Sequence, residues 1–299
     1  MKVTVLYGGP SAEREVSLVS GKSVIDGLLS MGHEVFASDV SPTDLSGLDH
    51  PAEVIFPVLH GQFGESGELQ EILEERNLAF VGSGSRASRL GMNKVNTKIT
   101  WQEAGLPTPR WELIDNSSPT EKIFAPSVVK AVASGSSIDV YICRDLDEAK
   151  AAAAKLVNKY GTALVEQFIQ GKELTVGILE ELPLDPIRIS TTRQFYDFEA
   201  KYKGNFTEYH FDLGLPDTII QQVRELARRA HGTAGCRDLS RVDVMLDENN
   251  APYLLEINTL PGFTPKSLLP KAAKHAGIEF GALVDRLVRR ADQRRRAAA

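Results

Sequence analysis

The first ninety residues alternate between short apolar runs and longer segments with helical periodicity. Strand patterns occur at residues 3–7, 34–40, 54–59 and 79–84. Between them, Ser11 can cap a helix that stops at Gly32, and a second helix is predicted at residues 69–76. Strands separated by helices usually pair in parallel, because the helix carries the chain back to the edge where the previous strand began. The sequence therefore predicts a small parallel sheet in an α/β domain.

The Leu-Pro-Thr-Pro segment at residues 106–109 ends a helical segment, and the order of the elements changes after it. An alanine-rich helix is predicted at residues 145–160, and helices at residues 218–232 and 281–290 flank the later strands. The strand patterns lie at residues 127–133, 163–168, 173–179, 187–190, 241–246 and 252–257. Few helices separate these strands, so the second half is predicted to be α+β. A chain of 299 residues is long for one domain, and two or three domains are expected.

Composition narrows the class of protein. A net charge of −6 argues against a general nucleic-acid binder. The only two cysteines, Cys143 and Cys236, suit a reducing compartment, since a long chain can build a core without disulfides. The N-terminal apolar run is too short for a signal peptide, and no apolar stretch is long enough for a membrane span. We therefore expect a cytoplasmic protein without nucleic-acid or membrane partners.

The segment LLEINTLPG, residues 254–262, sets a carboxylate and an amide within and just after an apolar strand. Side chains at positions i and i+2 of a strand point to the same side. Glu256 and Asn258 are therefore predicted to project together, with Leu255 and Ile257 on the opposite side.

An earlier strand repeats this spacing with Arg241 and Asp243. If the two strands pair through the turn at residues 247–250, one sheet face carries Arg241, Asp243, Glu256 and Asn258. Three oxygen ligands on one rigid face suit Mg²⁺, which binds few carboxylates together with substrate phosphates. The alternative is a salt-bridged face on a solvated sheet.

A second group of residues suits a nucleotide. Lys130 ends an apolar strand, and Gly-Ser-Ser follows at residues 135–137, where backbone N–H groups can approach phosphate oxygens. Lys94 is a second candidate lysine, residues 165–168 could hold a purine, and Glu173 could accept hydrogen bonds from a ribose. Each of these features alone is equally typical of a surface turn or a strand end.

Together, the ordered motifs resemble those of ATP-grasp ligases. They are Lys94, VVK at 128–130, GSS at 135–137, VEQFIQGKELTV at 165–176, RVDV at 241–244 and LLEINTLPG at 254–262. Four more motifs resemble the D-alanine–D-alanine ligase family. They are GGPSAEREVSLVSG at 8–21, PVLHGQFGESGELQ at 57–70, FYDFEAKY at 195–202 and PGFTPKSLLP at 261–270. The resemblance extends over residues 3–292, essentially the whole chain.

The resemblance implies an N-terminal parallel-sheet α/β domain followed by a two-domain ATP-grasp fold. The N-terminal, substrate-binding domain would comprise residues 1–93, and the central ATP-grasp subdomain residues 94–170. The C-terminal subdomain, residues 171–299, would carry the metal site. It would also carry a lid loop at residues 195–210 that closes over ATP and excludes water from an acylphosphate.

The implied activity is ATP-dependent ligation of two D-alanines to D-alanyl-D-alanine for peptidoglycan precursor synthesis. The carboxylate of one D-alanine attacks the γ-phosphate of ATP, and the amine of the second attacks the resulting acylphosphate. ATP is then a co-substrate, and the implied cofactor is a pair of Mg²⁺ ions, with Mn²⁺ as a substitute. The resemblance also implies a homodimer.

Roles for individual residues follow from the resemblance. Catalytic roles are implied for Glu13, Ser136, Tyr202, Arg241 and Gly262. Substrate contacts are implied for His60, Ser267 and Leu268, ATP contacts for Lys94, Lys130, Glu166, Glu173 and Lys201, and metal ligation for Asp243, Glu256 and Asn258. Ser267 would hold the carboxylate of the second D-alanine. His60 is open to two interpretations, direct catalysis or a hydrogen-bonded histidine at a strand end.

The catalytic group divides into two functions. Glu13 would bind the ammonium of the first D-alanine, with Ser136 and Tyr202 linking to it across the site. The Arg241 side chain and the Gly262 N–H would stabilise charge on the tetrahedral carbon, where glycine permits close backbone approach.

Several positions depart from the family pattern, and at two of them Asp139 and Asp238 stand where glycine is usual. A carboxylate at position 139 would either repel ATP or point outward. The alternatives to the leading interpretation are an ATP-grasp ligase with another acceptor amino acid and an ATP-binding homologue that has lost turnover. A dinucleotide-binding oxidoreductase is excluded, because no G-x-G-x-x-G follows the first strand.

Overall fold

The first sheet has three parallel strands in the order β2-β1-β3. The computed structural model describes residues 1–135, 138–191 and 207–298. The strands are β1 (Lys2–Tyr7), β2 (Glu34–Asp39) and β3 (Val54–Pro57), and the helices that follow β1 and β3 are α1 (Arg14–Ser30) and α2 (Glu68–Glu75). The predicted parallel α/β arrangement is confirmed.

The prediction of a fourth strand in this sheet, at residues 79–84, is wrong. Phe80 makes one isolated parallel bridge with Ile55. Gly82 then adopts a φ of 97°, and its N–H donates to the Asp238 carboxylate at 2.8 Å. The next bond of this parallel ladder would need an N–H at Pro57 of β3, and proline has none, so the ladder of the sheet does not continue.

The second sheet has four antiparallel strands in the order β4-β7-β5-β6. Its strands are β4 (Trp111–Asp115), β5 (Ser127–Lys130), β6 (Val140–Cys143) and β7 (Thr162–Gln167). Two helices, α3 (Ser85–Met92) and α4 (Lys94–Glu103), precede it, and α5 (Leu146–Tyr160) packs on it. Asp145 caps α5 by accepting the Glu148 N–H at 2.9 Å, and Gly161 ends it in a left-handed conformation. The edge strands β4 and β6 are mostly half-buried, and the sequence pattern did not predict them.

The third sheet is antiparallel, in the order β11-β10-β8-β12-β13, with β9 paired to β8. Its strands are β8 (Gly171–Leu179), β9 (Leu182–Pro183), β10 (Ile187–Thr191), β11 (Thr207–His210), β12 (Leu239–Asp247) and β13 (Pro252–Asn258). Helix α6 (Asp217–Thr233) packs on β8, β12 and β13. The predicted α+β second half is confirmed.

The last two helices join the third sheet to the first. Helix α7 (Leu268–His275) packs on β8, and α8 (Phe280–Ala298) packs on α1 and β3. One apolar core consequently contains residues of both sheets, such as Val5 of β1 and Leu179 of β8, together with Leu287 of α8. The domain boundaries at residues 93/94 and 170/171 remain a proposal; the second sheet lies wholly between them. None of the helices within the described ranges is long and apolar enough to cross a membrane.

Candidate active site

The polar face predicted for the two neighbouring strands exists. Strands β12 and β13 pair in antiparallel register, with Arg241 opposite Asn258 and Asp243 opposite Glu256. The turn at residues 247–250 connects them, as predicted, and Asp247 accepts the N–H of Ala251 at 2.8 Å within it. The four polar residues of the sequence pattern are therefore two directly opposed cross-strand pairs.

One side-chain direction in this pattern was predicted wrongly. The register shifts after Asp243, so that Val244 faces Leu254 and Leu255 is the extra residue of a β-bulge. Leu254 lies in the core, whereas Leu255 lines the same cavity as Glu256. Strict alternation fails here because a bulge inserts one residue into the period of two.

The carboxylate of Asp243 is held from two sides. The Thr175 hydroxyl donates to Oδ1 at 2.6 Å, and the Arg241 guanidinium donates to Oδ1 at 3.0 Å and to Oδ2 at 2.8 Å. Asp243 is only 7% exposed, whereas the Glu256 side chain is 34% exposed, so the Arg241–Asp243 pair is shielded from solvent and Glu256 is only partly so. Across the strand pair, Glu256 Oε2 lies 3.7 Å from Lys94 Nζ.

The donor set of this face fits a hard divalent cation. Asp243, Glu256 and Asn258 offer two carboxylates and one amide oxygen, and the amide oxygen also accepts the Leu260 N–H at 2.9 Å. Among the residues that the structure describes, no group of three or more His, Cys, Asp or Glu side chains could hold a metal by itself. Because all three donors are oxygens, they suit an ion such as Mg²⁺, which completes its coordination with phosphate oxygens and water.

A central cavity lies where the first and third sheets meet. Its lining includes Glu13, His60, Lys94, Gly135, Arg241, Glu256, Asn258 and Gly262. Glu13 stands at the start of α1, and its N–H donates to the Ser11 hydroxyl at 3.1 Å. The Glu13 carboxylate lies so close to two glycines that a Cβ at Gly61 would be 3.0 Å from its Oε2, and one at Gly135 would be 3.4 Å away.

His60 is buried in the wall of this cavity. Its Nε2 lies 3.3 Å from the Ser20 hydroxyl, and its Nδ1 lies 3.4 Å from Glu65 Oε1. Its carbonyl accepts the Ser11 hydroxyl at 2.6 Å. A histidine held at three points fits a positioning role in the cavity wall, and it also fits the hydrogen-bonded strand-end interpretation.

A second cavity, the inter-sheet cavity, lies between the second and third sheets. Apolar walls come from Val128, Val140, Ile142, Phe168, Ile169, Met245 and Leu255. Lys94, Lys130, Glu166, Glu173, Asp243 and Glu256 supply its charged groups. An apolar slot with charge at one end suits a flat base attached to phosphates. Every predicted ATP contact among the described residues lines it, and two of the three predicted metal ligands do so.

A third cavity, the outer cavity, adjoins the central one at Arg241 and Gly262. Val16, Tyr209, Arg241, Gly262, Ser267 and Leu268 are among its lining residues. Ser267 contacts Thr264 twice, accepting its N–H at 3.1 Å and lying 2.9 Å from its hydroxyl. The predicted substrate contacts Ser267 and Leu268 are therefore brought together.

The three cavities share their boundary residues. Lys94, Ser134 and Glu256 line both the central and the inter-sheet cavities. Arg241 and Gly262 line both the central and the outer cavities. A small molecule in the central cavity would therefore meet a phosphate chain on one side and a second small molecule on the other.

Lys98 is a buried charged residue near the site that the sequence pattern did not reveal. It lies one helical turn after Lys94 in α4, and its ammonium forms an ion pair with Glu166. Burial lowers the pKa of Lys98 to about 8, and the charge of Glu166 partly offsets this effect. Burial would raise the pKa of Glu166, but the charges of Lys130 and Lys98 outweigh it and keep that pKa below its ordinary value.

Asp139, which stands where the family usually has glycine, points away from the inter-sheet cavity. Its carboxylate accepts hydrogen bonds from Tyr141 at 3.0 Å, Lys159 at 2.8 Å and Tyr160 at 2.5 Å, the last two on α5. These bonds, from Lys159 first, lower its pKa to about 2. They also fix Asp139 at a φ of 57°, a conformation that glycine adopts more readily. The expectation that this carboxylate repels a phosphate is therefore not supported.

Three predicted site residues lie outside the described residues. They are Ser136, Lys201 and Tyr202. Most of the predicted lid, residues 195–206, is also outside them, and residues 207–210 form β11.

Known proteins resemble this chain over nearly its whole length. Residues 100–289 match the family described as D-ala D-ala ligase C-terminus. A D-alanine–D-alanine ligase of Gluconobacter oxydans (strain 621H) is 42% identical, over 97% of this chain and 99% of its own length. One of Pseudomonas putida (strain GB-1) is 41% identical, over 95% of this chain and 91% of its own. The crystal structure of the Bacillus anthracis D-alanine–D-alanine ligase complexed with ATP has a TM-score of 0.87 and 27% identity, covering 100% of both chains. The chain therefore belongs to the D-alanine–D-alanine ligase family and has its ATP-grasp fold.

Proposed function

We propose that this chain joins two D-alanines to D-alanyl-D-alanine at the expense of ATP, for peptidoglycan precursor synthesis. The observation that carries the proposal is the order of the three cavities. The central cavity shares Lys94 and Glu256 with the inter-sheet cavity, and Arg241 and Gly262 with the outer one. Such an order suits one substrate that is first phosphorylated from one side and then attacked from the other.

The first step takes place at the boundary between the central and inter-sheet cavities. The first D-alanine lies in the central cavity with its ammonium near the Glu13 carboxylate, and ATP lies in the inter-sheet cavity. A carboxylate oxygen attacks the γ-phosphorus, the bond to the β-phosphate oxygen breaks, and ADP leaves. Lys94 and Lys130 offset the charge of the phosphates, because phosphoryl transfer depends on positioning and charge neutralisation.

Divalent ions are the implied cofactor of this step. Asp243, Glu256 and Asn258 would hold two Mg²⁺ ions, or Mn²⁺ in their place, which when bound neutralise the phosphate oxygens. Arg241 and Thr175 orient the Asp243 carboxylate within this ligand set. Hydrogen-bonded partners of this kind fix the direction of a metal ligand.

The second step takes place at the boundary between the central and outer cavities. The neutral amine of the second D-alanine, held near Ser267 and Leu268, attacks the acyl carbon. Phosphate leaves, and one proton is released from the amine nitrogen. Arg241 and the Gly262 N–H stabilise the charge on the tetrahedral carbon. Proposed partners for this step that lie outside the described residues are Ser136 and Tyr202, with Lys201 proposed as an ATP contact.

The test is release of phosphate from ATP and Mg²⁺ in the presence of D-alanine, with L-alanine as the control. We expect phosphate and D-alanyl-D-alanine in equal amounts from D-alanine alone. A dipeptide that forms only with another amino acid would identify a ligase with a different acceptor. Binding of ATP without phosphate release under any of these conditions would identify a homologue that has lost turnover. Either result would contradict the proposal.

Two further properties are proposed with this function. A cytoplasmic location is supported by the requirement for ATP and by Cys143 and Cys236, which are both unpaired and buried. A homodimer is proposed from family membership. Light scattering should give twice the mass of one chain, and a monomer mass would contradict this proposal.

A further inference from the structure

The Lys98 ammonium is fully buried behind the wall of the inter-sheet cavity, and the mechanism above makes no use of it. It is 0% exposed and does not line the cavity. It forms an ion pair with Glu166 and donates to the Thr108 hydroxyl at 2.6 Å. That hydroxyl in turn donates to the Leu254 carbonyl at 2.9 Å. Complete burial of an ammonium is costly, so a partner of opposite charge is required.

The partner, Glu166, is shared by two lysines. Glu166 Oε1 accepts a hydrogen bond from Lys130 at 2.9 Å, while Oε2 faces Lys98. Glu166 is 2% exposed, so water screens little of this charge. Of the two lysines, Lys130 lines the inter-sheet cavity. The trio of Lys98, Glu166 and Lys130 carries one net positive charge when both lysines are protonated.

We propose that Lys98 is a positioning residue that neutralises Glu166 from the side of the core, so that Lys130 presents a net positive charge to the ATP phosphates. This inference rests on the proposed function. Without Lys98, Lys130 and Glu166 would form a neutral pair, and the wall of the cavity would lose one positive charge. The competing interpretation is structural: Lys98 fastens α4 to β7 and leaves the nucleotide unaffected.

The net charge of the trio in two variants distinguishes the two interpretations. Lys98→Met keeps most of the side-chain volume and reduces the charge of the trio from one to zero. Lys98→Met combined with Glu166→Gln restores a net charge of one, because it removes the carboxylate as well. A purely structural ion pair predicts no recovery of phosphate binding, since the second substitution does not rebuild the pair.

The experiment measures the dissociation constants of ATP and AMP by calorimetry and uses their ratio. AMP carries the adenine and ribose contacts, so the ratio isolates the β- and γ-phosphates. We expect Lys98→Met to reduce the preference for ATP by about tenfold or more, because loss of one poorly screened charge near several phosphate charges has an effect of at least this size at an effective dielectric of about 20. The double variant should recover most of that preference. Lys22→Met, which removes one charge from a mostly exposed surface lysine, should leave it unchanged.

Three results would overturn the inference. The first is an unchanged ratio in Lys98→Met, and the second is a double variant no better than the single one. If Lys98→Met does not fold, the double variant is compared with Glu166→Gln alone, whose trio carries a charge of two. The third overturning result is an equal preference for ATP over AMP in the double variant and in Glu166→Gln. Wild-type protein that shows no D-alanine-dependent phosphate release would instead contradict the proposed function, while the binding ratios would still test the role of Lys98.

Discussion

Replacing Asp139 by asparagine should destabilise the protein without weakening ATP binding. The carboxylate accepts three hydrogen bonds, two of them from Lys159 and Tyr160 on α5. Asparagine tolerates the left-handed backbone at this position, where φ is 57°, so the substitution removes the charge and leaves the backbone without new strain. The change in stability therefore reports on the carboxylate and its partners.

The magnitude follows from the pKa of Asp139. Its hydrogen bonds, with Lys159 first, lower the pKa from 3.8 to about 2. A tenfold change in an ionisation constant is worth about 1.4 kcal/mol, so the upper bound is about 2.4 kcal/mol. Lys159 is 55% exposed, and solvent screening reduces the expected loss to about 1–2 kcal/mol. Because the folded pKa is lowered, this contribution is complete above pH 5 and disappears as the pH falls towards 2.

Urea denaturation of wild type and Asp139→Asn at pH 6, 7 and 8 measures the difference. We expect a loss of about 1–2 kcal/mol that is constant across these pH values. The Kd of ATP should change by less than about twofold, because the carboxylate faces α5. Tyr160→Phe is the matched control, which removes one donor and should cause a smaller loss. A loss below about 0.3 kcal/mol, or a marked gain in ATP affinity, would refute this reasoning.

The remaining predictions concern the chemistry. Glu256→Gln should reduce Mg²⁺-dependent turnover by about a hundredfold or more, while its circular dichroism spectrum stays unchanged. Glu248→Gln in the exposed turn is the control, and equal activity of the two variants would contradict the metal assignment. Ser267→Ala should raise the KM of the second D-alanine by about tenfold, and an effect on the KM of ATP alone would contradict its placement. The preference for ATP over AMP should fall as the pH rises through about 8 in wild type, since burial lowers the pKa of Lys98 to that value against the opposing charge of Glu166. The charges that face Lys98 from other elements are Glu166, Lys130 and Glu256, and a fall of equal size in Lys98→Met would assign the titration to another group.

The sequence predicted which residues form the polar face of the site, but not how deeply its charged residues are buried. The i, i+2 spacing in β12 and β13 was sufficient to predict that the four polar residues share one face, whereas their cross-strand pairs were found only in the structure. The direction of Leu255 was wrong because a bulge interrupts that spacing. The strand at residues 79–84 was wrong because Pro57 of β3 lacks the N–H that the next ladder bond needs, and Gly82 leaves the strand conformation with a φ of 97°. Neither effect can be read from the local pattern of one strand, since each depends on how that strand pairs with its neighbour.

Lys98 was missed for a related reason. A lysine in a helix usually lies on the surface, and only the fold shows that α4 turns this one towards Glu166 of β7. The resemblance to a family directed attention to Lys94 and Lys130, which line the inter-sheet cavity. A residue that acts from behind the wall of a cavity carries no motif of its own, because its effect depends on the charge of a neighbour.

The two positions where an aspartate replaces the usual glycine are held by the same kind of contacts. Asp139 and Asp238 both adopt positive φ values, 57° and 64°, where glycine would carry no steric cost. Each carboxylate is fully engaged: that of Asp139 by α5, and that of Asp238 by the Gly82 N–H and the Arg294 guanidinium. Asp238 therefore links the segment at Gly82, the start of β12 and α8, while Asp139 links the β5–β6 connection to α5. Since neither carboxylate lines the central, inter-sheet or outer cavity, the substitutions change how the parts of the protein are fastened together and leave the groups that perform the chemistry in place.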